Sequence, residues 1–304
     1  MKSLLLRSMI VTALLGGIVA AAASPAAAIV GGRDASQTYP GMASLSVALP
    51  DGRTAWCGAS LIHPEWLLTA AHCVSEDAAA PMSVAVPGST VSARVGSNDR
   101  TTGGVVVTGR QVFLHPDWMW GMDTGRPVSD LALVKLTKPA WMPFMPISDR
   151  QVRESGYVRP IGWGLTQFPP PPGPPATVIP TMLQERDAAR LADSVCTGGF
   201  IGAGEICVSH GSCFGDSGGP LLRPVHTGPR GDRRWASVGI TSRGTTAEPQ
   251  CTGPRVYTDP TYWPFRAWAI AKMLRPTVDP CTCPPTPYSG DSAQKNYFKP
   301  VITA

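Results

Sequence analysis

The sequence predicts an all-β protein of antiparallel strands with a single helix near its end. Three observations carry that expectation. Glycine and proline number 32 each among 304 residues, which leaves little uninterrupted chain for long helices. Short apolar or alternating runs recur between turn residues, as strands joined by tight connections require. One stretch alone, between Asp259 and Pro276, has both a helix start signal and a stop signal.

Ala43 to Leu49 alternates, with Ala43, Leu45, Val47 and Leu49 on one face of a pleat. Ser60 to Leu68 is a mainly apolar run, Val105 to Leu114 is rich in β-branched residues, and Leu131 to Leu136 is interrupted only by Lys135. Trp235 to Thr241 alternates again through Ala236, Val238 and Ile240. Asp259 can cap the helix, Trp263, Phe265, Trp268, Ile270 and Leu274 supply its apolar positions, and Pro276 stops it. Two segments are irregular. Pro169 to Pro175, nearly all proline, reads as a stiff surface rod, and residues 276–304 read as a Pro-rich, partly disordered C-terminal extension.

Lys2 and Arg7 flank an apolar run, Met9 to Ala23, that is too short for a membrane anchor and rich in small residues, so residues 1–28 read as a signal peptide. Ala26-Ala27-Ala28 has the small-x-small form of a cleavage site; cleavage after Ala23 would instead leave Ser24 to Ala28 as a short propeptide. Removing residues 1–28 lowers the formal charge from +5 to +3, too little and too scattered to suggest a nucleic acid or an anionic membrane as partner. The remaining residues, about 275, suffice for one or two compact cores. Eight cysteines in an exported chain favour disulfides over a metal site. Cys281 and Cys283 could close a ring with each other, pair between chains or stay free. Glu76 and Asp77 read as a solvated turn rather than a calcium loop, and no cofactor or metal is expected.

Three motifs carry chemistry: Thr69-Ala70-Ala71-His72-Cys73, then Asp130-Leu131-Ala132-Leu133-Val134-Lys135-Leu136, then Gly215-Asp216-Ser217-Gly218-Gly219-Pro220. Each alone is commonplace. A single histidine in an apolar strand is usually structural, and so is an aspartate beside a leucine. In this order they supply a base, an orienting carboxylate and a hydroxyl nucleophile. His63, His115, His210 and His226 stand before proline or glycine or in a basic loop, and read as surface or loop residues.

On these motifs the chain, from Ile29 to about Leu274, resembles the trypsin and chymotrypsin family of secreted serine proteases. The resemblance implies two six-stranded antiparallel β-barrels with a C-terminal helix, occupying residues 29–275, the first barrel about 29–145 and the second with the helix about 146–275. His72 and Asp130 would come from the first barrel and Ser217 from the second. It implies Gly215 and Ser217 amides as an oxyanion hole, and Ser242 bonded to Asp130. The disulfides implied are Cys57 with Cys73, Cys196 with Cys207, and Cys213 with Cys251. A new amino terminus at Ile29 would pair with Asp216 to activate the site. A secreted, extracellular, monomeric endopeptidase follows, with a polypeptide substrate, a protein protease inhibitor as a further partner, and no membrane contact after signal removal.

The resemblance also places the primary specificity pocket. Gly211 stands where trypsin-like members carry aspartate, so cleavage after lysine or arginine is not supported. Arg255, in Arg255-Val256-Tyr257, resembles the granzyme B arginine that recognises an acidic side chain. Phe214 and Gly244 line the same region, and Arg243 replaces a usual aromatic residue. Glu248 could neutralise either arginine, or Arg255 could turn outward. The readings are thus an acid preference, a small or medium apolar preference, or a protease-like binding module without turnover.

Overall fold

A computed structural model describes residues 29–76, 84–119, 129–170, 172–173, 178–227, 233–245 and 251–274. The expected signal peptide, Asp77, part of the proline rod, Glu248, Cys281, Cys283 and the Pro-rich extension lie outside the described residues. Two closed six-stranded antiparallel barrels and a C-terminal helix make up the fold.

The first barrel consists of β2 (Met42–Ala48), β3 (Thr54–His63), β4 (Trp66–Thr69), β5 (Val91–Val95), β6 (Val105–Leu114) and β7 (Ala132–Leu136). Their order is β2-β3-β4-β7-β6-β5, and β5 closes back on β2. Alternation sets which side faces in: Ala43, Leu45 and Val47 of β2 and Val91, Ala93 and Val95 of β5 are all buried. Leu61, Leu67, Leu68, Leu131 and Leu133 fill the centre, each burial stabilising by about 1.5–3 kcal/mol. The run from Ser60 to Leu68 is two strands. Pro64 has no N–H for a ladder, so the chain turns at Pro64-Glu65 and His63 pairs Trp66.

The second barrel is built from β8 (Tyr157–Gly162), β10 (Ala188–Leu191), β11 (Glu205–Val208), β12 (Pro220–Thr227), β13 (Arg233–Gly244) and β14 (Arg255–Thr258). The order β8-β10-β11-β14-β13-β12 is closed by pairing of β12 with β8. Short β9 (Gln184–Glu185) continues the edge of β8 and takes up β1 (Arg33–Asp34), so the start of the described chain is pinned to the second barrel. Val158, Ile206, Val208, Leu221, Val238 and Tyr257 form this barrel's core.

Helix α1 (Trp263–Leu274) begins later than Asp259, which instead accepts the N–H and hydroxyl of Thr261 in the turn before it. Phe265 and Ala269 are buried in the first barrel's cluster, whereas Trp263 and Leu274 face solvent. His115, read as a surface or loop residue, stands in the loop just after β6 but is buried. Its ring is 6% exposed and lies 5.1 Å from both Phe265 and Trp268, where burial lowers its pKa. The three implied disulfides are formed, Cys57–Cys73, Cys196–Cys207 and Cys213–Cys251.

Candidate active site

His72 stands in a 3-10 turn, Ala71–Cys73, at the end of β4, and the Cys57–Cys73 disulfide ties that turn to β3. Asp130 immediately precedes Leu131 and β7 and is fully buried. The two are joined twice: the His72 amide donates to Oδ1 at 3.0 Å, and Nδ1 lies 2.8 Å from Oδ2. An imidazole with its proton on Nδ1 leaves Nε2 as an acceptor.

Asp130 also binds the second barrel. Ser242 Oγ on β13 donates to Oδ2 at 2.7 Å, and Thr258 Oγ1 on β14 donates to the Asp130 carbonyl at 3.1 Å. Desolvation pushes the carboxyl up, but the His72 charge and hydrogen bonds from His72 and Ser242 outweigh it and hold Asp130 below the usual carboxylate range.

Ser217 occupies a tight turn that both barrels fix. Gly58 of β3 donates to the Ser217 carbonyl at 2.7 Å, the Gly218 amide bonds Thr241 at 2.8 Å, and the Gly219 amide bonds Asp216 at 2.9 Å. Asp216, Gly218 and Gly219 are buried while Ser217 and Gly215 are half-exposed, so the turn brings these two to the surface. Gly215 has φ +94°, a conformation that a side chain strongly disfavours.

Asp216 points inward. Its carboxylate accepts the Gly164 amide at 2.7 Å and the Cys213 amide at 2.8 Å. Desolvation nonetheless pushes its pKa up to about 7, because those two bonds and nearby Arg255 compensate only partly. Ile29 is also fully buried, and Gly211 packs against its side chain and Pro160.

Arg255 does not turn outward: it is 6% exposed, and its Nε donates to the Ser212 carbonyl at 2.9 Å. Its guanidinium lies so close to Gly244 that a Cβ there would overlap Nη1. Phe214 packs on Phe168 with ring centroids 5.7 Å apart, beside the Cys213–Cys251 bridge. Arg243 points elsewhere. Its guanidinium grips buried Glu205 in a bidentate pair, Nη1–Oε1 at 2.6 Å and Nη2–Oε2 at 2.7 Å, and its Nε bonds the Gly199 carbonyl at 2.7 Å.

The fold joins His72, Asp130 and Ser242 by hydrogen bonds, ties the Ser217 turn to β3 through Gly58, and buries Arg255 on β14 near Asp216. Sequence reasoning named His72, Asp130, Ser217, Ser242 and Arg255. It missed Glu205, Thr258 and the Gly58 amide. The one signal for Glu205 was an acid heading the otherwise apolar run Glu205–Val208, and nothing in that run names a partner 38 residues away. Cys57, His72 and Cys73 cluster closely enough to suggest metal ligands, but both sulfurs are spent in the disulfide and offer no thiolate.

The trypsin family's sequence profile matches residues 29–269. A tryptase from Mus musculus is 30% identical over 267 residues, which cover 77% of this chain and 85% of the tryptase. A brachyurin from Leptuca pugilator is 28% identical over 246 residues, with 77% of this chain and 95% of the brachyurin covered. A transmembrane protease serine 11G from Rattus norvegicus is 27% identical over 265 residues, with 77% and 56% covered. With its two barrels, three bridges and matched span, the chain belongs to the trypsin family of chymotrypsin-like serine proteases.

Proposed function

We propose that this protein is a secreted serine endopeptidase in which Ser217 is the nucleophile, His72 the general base and acid, and Asp130 the residue that orients and stabilises the imidazolium. One observation carries the reading: the doubly bonded His72–Asp130 pair and the Ser217 turn are locked together across the seam by Ser242, Thr258 and Gly58. Ser217 Oγ attacks the scissile carbonyl and its proton passes to His72 Nε2. The Gly215 and Ser217 amides receive the oxyanion, each such donor being worth about 3–4 kcal/mol. Collapse expels the amine, which takes the proton from His72, and water then hydrolyses the acyl-enzyme by the same steps.

For specificity, Arg255 is the group that reads the side chain before the scissile bond, and the preferred side chain is acidic. A charge-assisted bond in a sheltered pocket contributes about 2 kcal/mol, roughly a thirtyfold preference over an apolar residue. A second reading, preference for small or medium apolar residues, is favoured by the burial of Arg255 and its Nε bond to Ser212, since a side chain of that bulk held inside would shorten the pocket. Arg255→Gly separates them: acid selectivity disappears under the first reading, larger apolar side chains are admitted under the second, and unchanged selectivity would show that another group reads the substrate.

Activation follows from export. Cleavage before Ile29 frees an ammonium that would pair with Asp216, a carboxyl whose burial makes a counter-charge valuable. Amino-terminal sequencing of the secreted protein should begin at Ile29; a stable species beginning at Ser24 contradicts direct activation. Three disulfides suit an oxidising compartment. The activity itself is tested by a fluorophosphonate probe, which should label the secreted protein and fail on Ser217→Ala. Equal labelling of both, or none of either, contradicts the proposal and favours a binding module.

A further inference from the structure

We infer that Arg243, clamped by Glu205, is a positioning residue that aims the Ser242 hydroxyl proton at Asp130, an inference that rests on the proteolytic reading of the site. A serine hydroxyl has one proton to give and two lone pairs to receive with, and its rotor is free unless its neighbours fix it. Ser242 Oγ sits between two groups of opposite capability. Asp130 Oδ2, 2.7 Å away, is an ionised carboxylate that only accepts. Arg243 Nη1, 3.2 Å away, is a guanidinium nitrogen that only donates. With a lone pair occupied by Arg243, the serine proton has one productive direction, towards Asp130.

That arrangement works only if the guanidinium itself stays still. Five bonds hold it: Nη1 and Nη2 fork onto the two Glu205 oxygens, Nε bonds Gly199, Nη2 also bonds Phe200 at 3.1 Å, and Nη1 reaches Ser242. Glu205 is in turn fixed by the Gly202 amide, which donates to Oε2 at 2.9 Å. The 3-10 segment Asp193–Gly199, bridged by Cys196–Cys207 to β11, therefore supplies a rigid mount for the hydroxyl behind the His72–Asp130 pair. Lysine could supply charge at position 243 but not this planar fork.

Glu205 has a second role, as counter-charge. The groups facing it are Arg243 on β13, Asp130 across the seam, and Arg190, Asp193 and Asp259 around the cavity on its other side. Burial raises its pKa and Arg243 opposes that rise. As an ion pair, Glu205 and Arg243 add no net charge beside Asp130. Removing the Glu205 charge alone would leave a cation there that disfavours a second cation on His72.

The test uses the mature secreted protein and a fluorophosphonate probe, because phosphonylation reports Ser217 reactivity without a known peptide substrate. Its second-order rate constant is measured against pH for the wild type, Arg243→Gln, Arg243→Lys, Glu205→Gln, Ser242→Ala and the double variant Ser242→Ala/Arg243→Gln. Arg243→Gln should slow labelling about threefold to tenfold, and add nothing in the Ser242→Ala background. Arg243→Lys should restore only part of the loss. Glu205→Gln should move the acidic limb of the profile down by about half a pH unit. An equal loss from Arg243→Gln in both serine backgrounds overturns the inference, since Arg243 would then act independently of Ser242. So does an unaltered rate and limb in Arg243→Gln and Glu205→Gln. Absence of Ser217-dependent labelling in the wild type itself sinks the proteolytic reading and the inference with it.

Discussion

The two barrels share a topology and differ in what they bury. The first is filled with aliphatic and aromatic side chains in one continuous cluster that extends to Phe265 and Ala269 of α1. The second breaks its core into smaller clusters and encloses arginine–carboxylate pairs: Arg159 with Glu185 at 3.1 Å and Arg243 with Glu205 at 2.6 Å, while Arg255 lies near Asp216. Apolar area is indifferent to pH, whereas buried charge must stay paired. The first barrel is thus a stable wall that presents His72 and Asp130. The second is an ionic frame that sets the Ser217 turn, the candidate pocket and the anchorage of β1.

The sharpest way to break this comparison lies at the seam. Asp130 is the first barrel's buried carboxylate beside His72, and Asp130→Asn should lower kcat by about three to four orders of magnitude with little change in melting temperature. A large fall in melting temperature with activity retained would assign Asp130 to stability instead.

Next come two substitutions of similar cost and different character. Leu133→Ala in the first barrel should destabilise by about 2–5 kcal/mol by opening a cavity, equally at all pH values. Glu185→Gln in the second should cost about 1–3 kcal/mol by removing one of the two carboxylates that pair buried Arg159, the other being Asp187 at 2.6 Å. Its cost should depend on pH. Desolvation pushes Glu185 up, but hydrogen bonds from Tyr39 and Ser36 and the Arg159 charge hold it below its ordinary value. Its stabilisation is therefore present above the unfolded pKa and lost as pH falls through the folded one, so wild type and Glu185→Gln should converge in acid. Urea titrations at several pH values check both.

Asp216 has the opposite sign. Its pKa is raised to about 7, so an unpaired carboxyl destabilises progressively from about pH 4, where the unfolded chain ionises, to about pH 7. A precursor that keeps residues 1–28 should lose stability over that window, and the form beginning at Ile29 should lose much less. The smallest effect belongs to the first barrel's surface: Asp51→Asn removes the exposed Arg53 pair and should leave the melting temperature unchanged.

Much of this division was legible in the sequence, for definite reasons. Alternation of apolar and small polar residues placed β2 and β13, and the β-branched run from Val105 to Leu114 matched β6 to the residue. The turn at Pro64-Glu65 was hidden because apolar residues continue on both sides of it. The loop at His115 was legible from the proline after it, but its burial was not, because its aromatic neighbours Phe265 and Trp268 come from the far end of the chain. The arginines divide the same way. Arg255 announced itself by its place in the motif Arg255-Val256-Tyr257, whereas the partner of Arg243 depends on β11 and β13 each pairing with β14.

The most direct test is a peptide-library cleavage profile of the purified protein beginning at Ile29, with Ser217→Ala as control and the residue before the scissile bond varied. The account predicts Ser217-dependent cleavage after aspartate or glutamate. Cleavage after leucine, methionine or valine would contradict Arg255 as the reader of substrate charge, and no Ser217-dependent cleavage of any peptide would contradict the assignment of the seam as a proteolytic site.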